Sequence, residues 1–170
     1  VFNSEDVTYL KNNEELFSQK KSTITDDNNN EYKLDNFFYE IDKEILKGER
    51  VEVLAKVDKN KTDKYFFSEG FFNFKDKSHI AKETKIKTHK DIFDDDDHDP
   101  RLYGSSSYSD EKKTVVKNGT FTSCKINDNC PPWSIKAEKI THDKIKQDMI
   151  YKNAILKIYD IPILYFPKFF

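Results

Sequence analysis

Arginine is almost missing from this chain: only Arg50 and Arg101 occur among its 170 residues. That removes the side chain best suited to bidentate phosphate recognition. The formal charge is −2, from 29 basic and 31 acidic residues, so no global field draws the chain to nucleic acid or to an anionic membrane. Nucleic-acid binding is disfavoured. Glycine is scarce too, with four residues, and none sits in a P-loop or a G-x-G-x-x-G pattern. No apolar run approaches the roughly 18–20 residues of a membrane helix. His79, His89, His98 and His142 are scattered, with no H-E-x-x-H, and no serine lies in a G-x-S-x-G. With no convergent acid, base or nucleophile and no cofactor fingerprint, the chain reads as non-enzymatic. Carboxylates are plentiful, so counting alone does not remove a β-helix glycosidase, which would need two of them about 5–10 Å apart in a cleft.

What is present points to β structure. Apolar residues make up only 36% of the chain, but aromatics reach 14%, with fourteen Phe and nine Tyr. Disordered chains are poor in aromatics. A thin core built from large rings suits a β protein. Val51, Val53, Ala55 and Val57 alternate with Glu52, Lys56 and Asp58, Leu54 being the exception, and Trp133, Ile135 and Ala137 alternate with Ser134, Lys136 and Glu138. Both runs predict half-buried strands. Phe72 and Phe74 flank Asn73 in the same way. The stretch 151–159 (YKNAILKIY) carries apolar residues on both faces, as a strand covered on two sides does.

A crude unit recurs between these runs. Tyr39 precedes Asp42-Lys43, then Leu46-Lys47-Gly48, then Val51-Glu52-Val53; Phe74 precedes Asp76-Lys77, then Ile80-Ala81, then Lys85-Ile86. Ile140 precedes Asp143-Lys144, then Tyr151-Lys152-Asn153, then Ala154, Leu156 and Ile158. Each copy is a strand, an Asp-Lys turn, a return strand, a break at a small residue or Asn, and another strand. Asp and Asn suit such turns because they bond neighbouring amides and tolerate left-handed backbone. The expected architecture is a stack of strand–turn–strand rungs in one domain spanning 1–170. Two polar excursions are expected, near 20–31 and 90–110. The second holds Asp94-Asp95-Asp96-Asp97, then Asp99-Pro100-Arg101 and a serine cluster. It reads as a solvated loop without the residue order of an EF-hand. No metal site is assigned.

Cys124 and Cys130 lie six positions apart around Asn127-Asp128-Asn129, before Pro131-Pro132. With His142 the only nearby histidine, zinc is a poor fit. Two free buried thiols are one reading; a disulfide in an oxidising compartment suits the turn-rich, solvent-facing context better. The chain begins at Val1, with neither Met nor a signal peptide, so it does not report its own targeting. Its last residues, Tyr165-Phe166-Pro167-Lys168-Phe169-Phe170, read as part of something larger, since a small soluble domain gains nothing by exposing them.

Several segments are more specific: Phe121-Thr122-Ser123-Cys124, Trp133-Ser134-Ile135, Ala137, Ile140, His142-Asp143, Asn153-Ala154, and Ile161-Pro162-Ile163-Leu164-Tyr165-Phe166-Pro167. In this order they resemble the periplasmic N-terminal domain of the LptD (OstA) family of lipopolysaccharide-assembly outer-membrane proteins. Tyr65 to Lys87 and Asp99-Pro100-Arg101-Leu102-Tyr103-Gly104 fit the family's style more loosely. The resemblance implies an all-β fold, a twisted two-sheet antiparallel β-jellyroll or β-taco with an open edge and an apolar interior groove. It implies a place at the periplasmic face of the outer membrane. The domain would receive lipopolysaccharide from a periplasmic bridge protein of similar fold and pass it to a C-terminal barrel plugged by an outer-membrane lipoprotein. It also implies that domain cysteines pair with barrel cysteines. Cys124 stands at the family's FTSC position, and Cys130 either closes a local loop with it or each pairs elsewhere.

The cargo makes physical sense. Each buried methylene is worth about 0.8 kcal/mol, so a ~12-carbon acyl chain of lipid A represents on the order of 10 kcal/mol and needs an apolar carrier through water. The alternating faces supply Val51, Val53, Ala55, Phe72, Phe74, Trp133, Ile135, Ala137, Leu156 and Ile158 as groove candidates. The same residues would equally fill a closed core. The competing class is a β-sheet carbohydrate-binding or adhesin-type interaction module, suggested by the aromatics and polar loops; an exposed planar row of Trp or Tyr would favour it.

Overall fold

A chain whose apolar residues alternate for a few positions, slip, and alternate again should form strands that turn a corner. The computed structural model, which describes residues 1–58, 61–89, 98–125 and 132–170, has this geometry. Among the described residues the short strands come first: β1 (Phe2–Ser4), β2 (Thr8–Leu10), β3 (Glu15–Ser18), β4 (Ser22–Thr25), β5 (Glu31–Leu34) and β6 (Asn36–Glu40). Long strands follow: β7 (Ile45–Asp58), β8 (Lys61–Asn73), β9 (Ser78–Lys87), β10 (Arg101–Ser109), β11 (Lys113–Thr122), β12 (Trp133–Asp143), β13 (Asp148–Ile158) and β14 (Ile161–Phe169). All belong to one antiparallel sheet, in which β7 to β14 pair strictly in chain order. The short strands pair up as half-rungs: β5 lies on the second half of β7 and β6 on its first half.

A crease crosses every long strand from β7 to β13. In β7 the buried inward positions are Leu46, then Val51 and Val53, so the inward face changes from even to odd numbers around Glu49-Arg50. The same slip falls at Ser68-Glu69, Lys82-Glu83, Ser105-Ser106, Lys117-Asn118, Glu138-Lys139 and Lys152-Asn153. Pairing keeps its register across the slip; Glu49↔Glu69 is followed by Val51↔Phe67. The corner is therefore a bend and not an inserted residue. In alternate strands it is made by a residue in the left-handed region: Arg50 (φ 48°), Glu83 (47°), Asn118 (47°) and Asn153 (49°). Two outward side chains in succession leave inward neighbours three apart, where a regular strand would have them two apart.

The bend folds the sheet upon itself. Tyr32 of β5 meets Phe72 of β8 edge-on at 5.3 Å and Phe74 at 5.2 Å, although strand β7 separates β5 from β8 in the sheet. Two walls thus face each other, and they are halves of one sheet. The pair of sheets implied by the family resemblance is here hydrogen-bonded continuously through the corner. All four glycines lie on the inner side next to the crease, at Gly48, Gly70, Gly104 and Gly119. There the walls converge and a side chain has no room: a Cβ at Gly104 would meet Val116 at 2.1 Å, and one at Gly119 would meet Ile140 at 2.6 Å.

At one rim the hairpins use four-residue turns at 11–14, 41–44, 74–77 and 144–147. Each closes on a left-handed residue, Glu14, Glu44, Lys77 or Gln147. The expected Asp-Lys turns lie here. Asp143 ends its strand and accepts backbone N–H bonds from Ile145 and Lys146, both at 3.0 Å. The stretch expected as an excursion at 20–31 contains strand β4, with Ser22 and Ile24 buried, and β10 occupies the second half of the one expected at 90–110. Asp94 to Asp97 lie outside the described residues.

Candidate functional site

The interior between the walls is where large apolar side chains from distant strands converge. It holds two apolar clusters. The first centres on Leu34, Leu46, Val51, Phe67 and Phe72; the second on Leu102, Val116, Ile140, Tyr151 and Ala154, with Tyr65 packed against both. Fully burying each large side chain contributes roughly 1.5–3 kcal/mol, so the two clusters hold the walls together.

Between the clusters the interior turns polar. Thr84 Oγ1 donates to Ser107 Oγ at 2.7 Å, and both residues are buried. Ser109 Oγ and Thr114 Oγ1 share a hydrogen bond of 2.8 Å. Lys144, half-buried, donates from Nζ to Ser109 Oγ at 2.9 Å and to the Asp110 carbonyl at 2.6 Å. Burial pushes the Lys144 ammonium below its ordinary pKa. His79 lies against the rings of Phe67 and Phe72, at 5.3 and 5.7 Å. Burial first, then the charge of Lys144, bring its pKa down to about 4, so the ring is neutral at physiological pH. The hydroxyls of this polar waist are satisfied by one another, as buried polar groups must be.

The groove candidates fall into three groups. Val51, Val53, Phe72 and Ala137 are buried and packed into the two clusters. Phe74, Ile135, Ala55 and Leu156 are half-buried; Phe74 packs on the first cluster and Ile135 on the second, while Ala55 lines a cavity at the mouth. Trp133 is half-buried against Phe121, with ring centroids 6.0 Å apart. Ile158, the last residue of β13, pairs with Trp133 at the end of the ladder and is 42% exposed. Reading by alternation misses Leu46, Phe67, Val116, Ile140 and Tyr151 as interior residues. Phe67, Val116, Ile140 and Tyr151 sit beside the crease, three positions from the next inward residue of their strands, and Leu46 lies one inward step further off, two before Gly48; that slip, marked by a polar pair, is the signal that finds them.

Two segments of the family resemblance meet in space. Arg101 pairs with Thr122 in the β10–β11 ladder. Its guanidinium is buried and donates to the carbonyls of Asp99, at 3.0 Å, and Cys124. Thr122 Oγ1 donates to the Trp133 carbonyl at 2.7 Å, and the Asp99 N–H to the Ser123 carbonyl at 2.9 Å. Asp99-Pro100-Arg101 and Phe121-Thr122-Ser123-Cys124 are thus tied to one another. Cys124 is half-buried, and Cys130 lies outside the described residues.

Between the rims lies a cavity of about 160 Å³ lined from both walls, with Val53, Ala55, Phe67 and Phe72 beside Asn30, His79, Ser109 and Lys144. It continues toward a second opening that shares Asn30, Tyr32, Phe72, Lys77 and His79. No group of three or more metal-ligating side chains comes together among the described residues.

Fold and interior define a class: an all-β antiparallel sheet folded over an apolar interior with an amphipathic mouth. Sequence comparison adds a particular likeness. The chain is 43% identical over 54 residues to the LPS-assembly protein LptD of Yersinia pestis bv. Antiqua, a match covering 32% of this chain and 7% of that protein. It is 37% identical over 67 residues to LPS-assembly protein LptD of Yersinia enterocolitica, covering 39% and 8%, and 30% identical over 64 residues to that of an Acidovorax strain, covering 36% and 8%. These matches span 7% to 8% of the relatives' own length. No family model matches the chain.

Proposed function

We propose that this chain is a lipopolysaccharide-carrying domain of an LptD-like outer-membrane assembly protein, acting without catalysis at the periplasmic face. The observation that carries this reading is a sheet folded over an apolar interior with an open, amphipathic mouth, in a chain similar over about a third of its length to LPS-assembly proteins. In this reading the folded sheet is a β-jellyroll. Acyl chains of lipid A enter between the walls while the sugars stay in water at the mouth.

Burial sorts the contact residues. A side chain with little free surface offers a ligand an edge at most, so Val51, Val53, Phe72 and Ala137 act as the back of the groove. Ala55, Phe74, Ile135 and Leu156 are the reachable lining. The sheet's outermost strands also support end-to-end docking to a bridge protein of similar fold. Tyr9 and Leu10 on β2, and Ile161, Ile163 and Leu164 on β14, are exposed on strands that end the sheet, which is the geometry for adding a strand. A barrel and its plugging lipoprotein complete the assembly. The interaction-module alternative has less to rest on, because the single Trp is half-buried against Phe121.

The deciding experiment places a photo-crosslinking amino acid at Ala55, Phe74, Ile135 and Leu156 in cells. Lipopolysaccharide should be captured there and not at Glu69 or Lys117 on the outer surface. Failure at all four inner positions would sink the reading. Cys124 and Cys130 are proposed to be oxidised, to one another or each to another partner. Non-reducing peptide mass spectrometry of exported protein decides this, and two free thiols would end it.

A further inference from the structure

Lys144 is a half-buried ammonium that, among the described residues, bonds no carboxylate. Its two protein partners are the Ser109 hydroxyl and the Asp110 carbonyl, both uncharged. An ammonium has three donors, and among the described residues the third goes to no protein group. The neighbouring acids are committed elsewhere. The Asp110 carboxylate accepts from the backbone N–H groups of Lys112 and Lys113, each at 2.8 Å, and from the Tyr108 hydroxyl at 2.8 Å. Glu111 pairs with Lys77 at 3.0 Å. On the facing wall, Asp26 is held by Asn28, Asn30 and Tyr32, and Asp63 by His89. Taking a cation partly out of water costs free energy unless a counter-charge is supplied. The described residues supply none in contact.

The imidazole of His79 shares the cavity. Among the described residues its ring nitrogens make no hydrogen bond, and the ring is held between Phe67 and Phe72. An unspent cation, an unspent imidazole and an apolar floor therefore meet in about 160 Å³. That is below the roughly 300–1,000 Å³ of pockets enclosing a whole drug-sized ligand. It suits a small charged head and the first carbons of its tail.

We propose that the mouth between the walls is a binding site for the oxyanion headgroup of an acyl amphiphile, a phosphate being the best fit, with Lys144 as its counter-ion and His79 as a hydrogen-bonding partner. The proposal deepens the lipid-groove reading and rests on it for the occupant. The anion satisfies the third donor of Lys144, and the first methylenes of the tail lie on Ala55, Val53 and Phe67. The site fixes which end of an amphiphile stays at the rim.

The test titrates the full 170-residue chain with dodecyl phosphate, dodecyl maltoside and inorganic phosphate below micellar concentrations, followed by calorimetry and by the ring ¹H–¹⁵N signals of His79. Dodecyl phosphate should bind at least about tenfold more tightly than dodecyl maltoside, which differs in head and not in tail, and should shift the His79 signals; a charged hydrogen bond of ordinary strength supplies that factor. Lys144→Met should abolish that preference and leave maltoside binding unchanged, while Lys117→Met on the outer face leaves both unchanged. Equal affinity of the two amphiphiles, or a preference that survives Lys144→Met, overturns the proposal. Inorganic phosphate binding as tightly as dodecyl phosphate also overturns it, in favour of a free-anion site. Should Lys144→Met fail to fold, unshifted His79 signals in the unaltered chain overturn it alone. If cells yield no lipopolysaccharide crosslink but the tenfold preference holds, the site stands and the transport reading falls. A crosslink without the preference has the opposite meaning.

Discussion

The Cβ that any residue but glycine would carry at position 104 falls 2.1 Å from Cγ1 of Val116 and 2.9 Å from the Lys117 carbonyl oxygen. Glycine there is what lets the two walls meet at the crease. Gly119 is crowded differently, by the flexible Cδ1 end of Ile140 at 2.6 Å. Gly104→Ala should therefore destabilise by about 2–3 kcal/mol and Gly119→Ala by less, because an isoleucine can turn aside and a backbone cannot. Urea unfolding midpoints of the two variants check the order.

The buried pair Thr84–Ser107 separates the two apolar clusters. Thr84→Val keeps the shape but strands the Ser107 hydroxyl, at a cost of about 1–3 kcal/mol. Adding Ser107→Ala should restore most of the loss, since both polar partners are then gone. A double-mutant cycle in urea measures this, and a double variant as unstable as Thr84→Val would refute the interpretation.

The left-handed corner at Glu83 costs a non-glycine residue roughly 1–2 kcal/mol. Its carboxylate makes no ion pair among the described residues. Glu83→Gly should therefore stabilise the chain by up to about 1 kcal/mol, once the extra freedom of glycine in the unfolded state is subtracted. Glu83→Val should destabilise it. Asn153→Gly should gain nothing, because Asn153 also donates to Glu138 and accepts from the Tyr165 hydroxyl at 3.0 Å. Thermal unfolding of the three variants separates these outcomes.

Much of this fold is legible in the sequence. Strand alternation at Val51–Val57 and from Trp133 to Glu138 predicts strands that are present, and the recurring break at Gly48 or Asn153 marks a real corner. The break falls in the middle of a strand and not between strands. Pattern alone cannot tell these apart, because the register is unchanged and only the facing wall flips. The outward polar pairs, such as Glu49-Arg50 and Lys82-Glu83, carry that information, and alternation counting discards them. Strand β4 escapes such counting because Ser22-Thr23-Ile24-Thr25 has one large apolar residue; it is held by pairing with β1 and β5, by Ile24 in the first cluster and by Ser22 bonding Ser4 at 2.8 Å. The mouth is invisible for a different reason. Lys144 belongs to one wall's turn, and Ala55 and Asn30 to the other, so only the folding of the sheet makes them neighbours.

His79 gives the interior a pH dependence with a definite sign. Its pKa in the fold, about 4, lies below the ordinary histidine value near 6.5. The unfolded chain therefore binds the proton first, and protonation favours unfolding. The stabilisation is complete above about pH 6.5, declines as pH falls from there toward 4, and levels off below. A displacement of that size corresponds to at most about 3 kcal/mol. His142, lowered by burial and then by Lys144, adds to the same slope. The carboxylates lowered in the fold, Asp110 and Asp143, lose their contribution only at still lower pH. Urea midpoints between about pH 7 and pH 4.5 should thus fall steadily, and His79→Phe should flatten most of the decline. Lys144→Met should flatten part of it, because removing that charge lets both histidines accept a proton more easily. A decline unchanged in His79→Phe would assign the pH dependence to groups outside the waist.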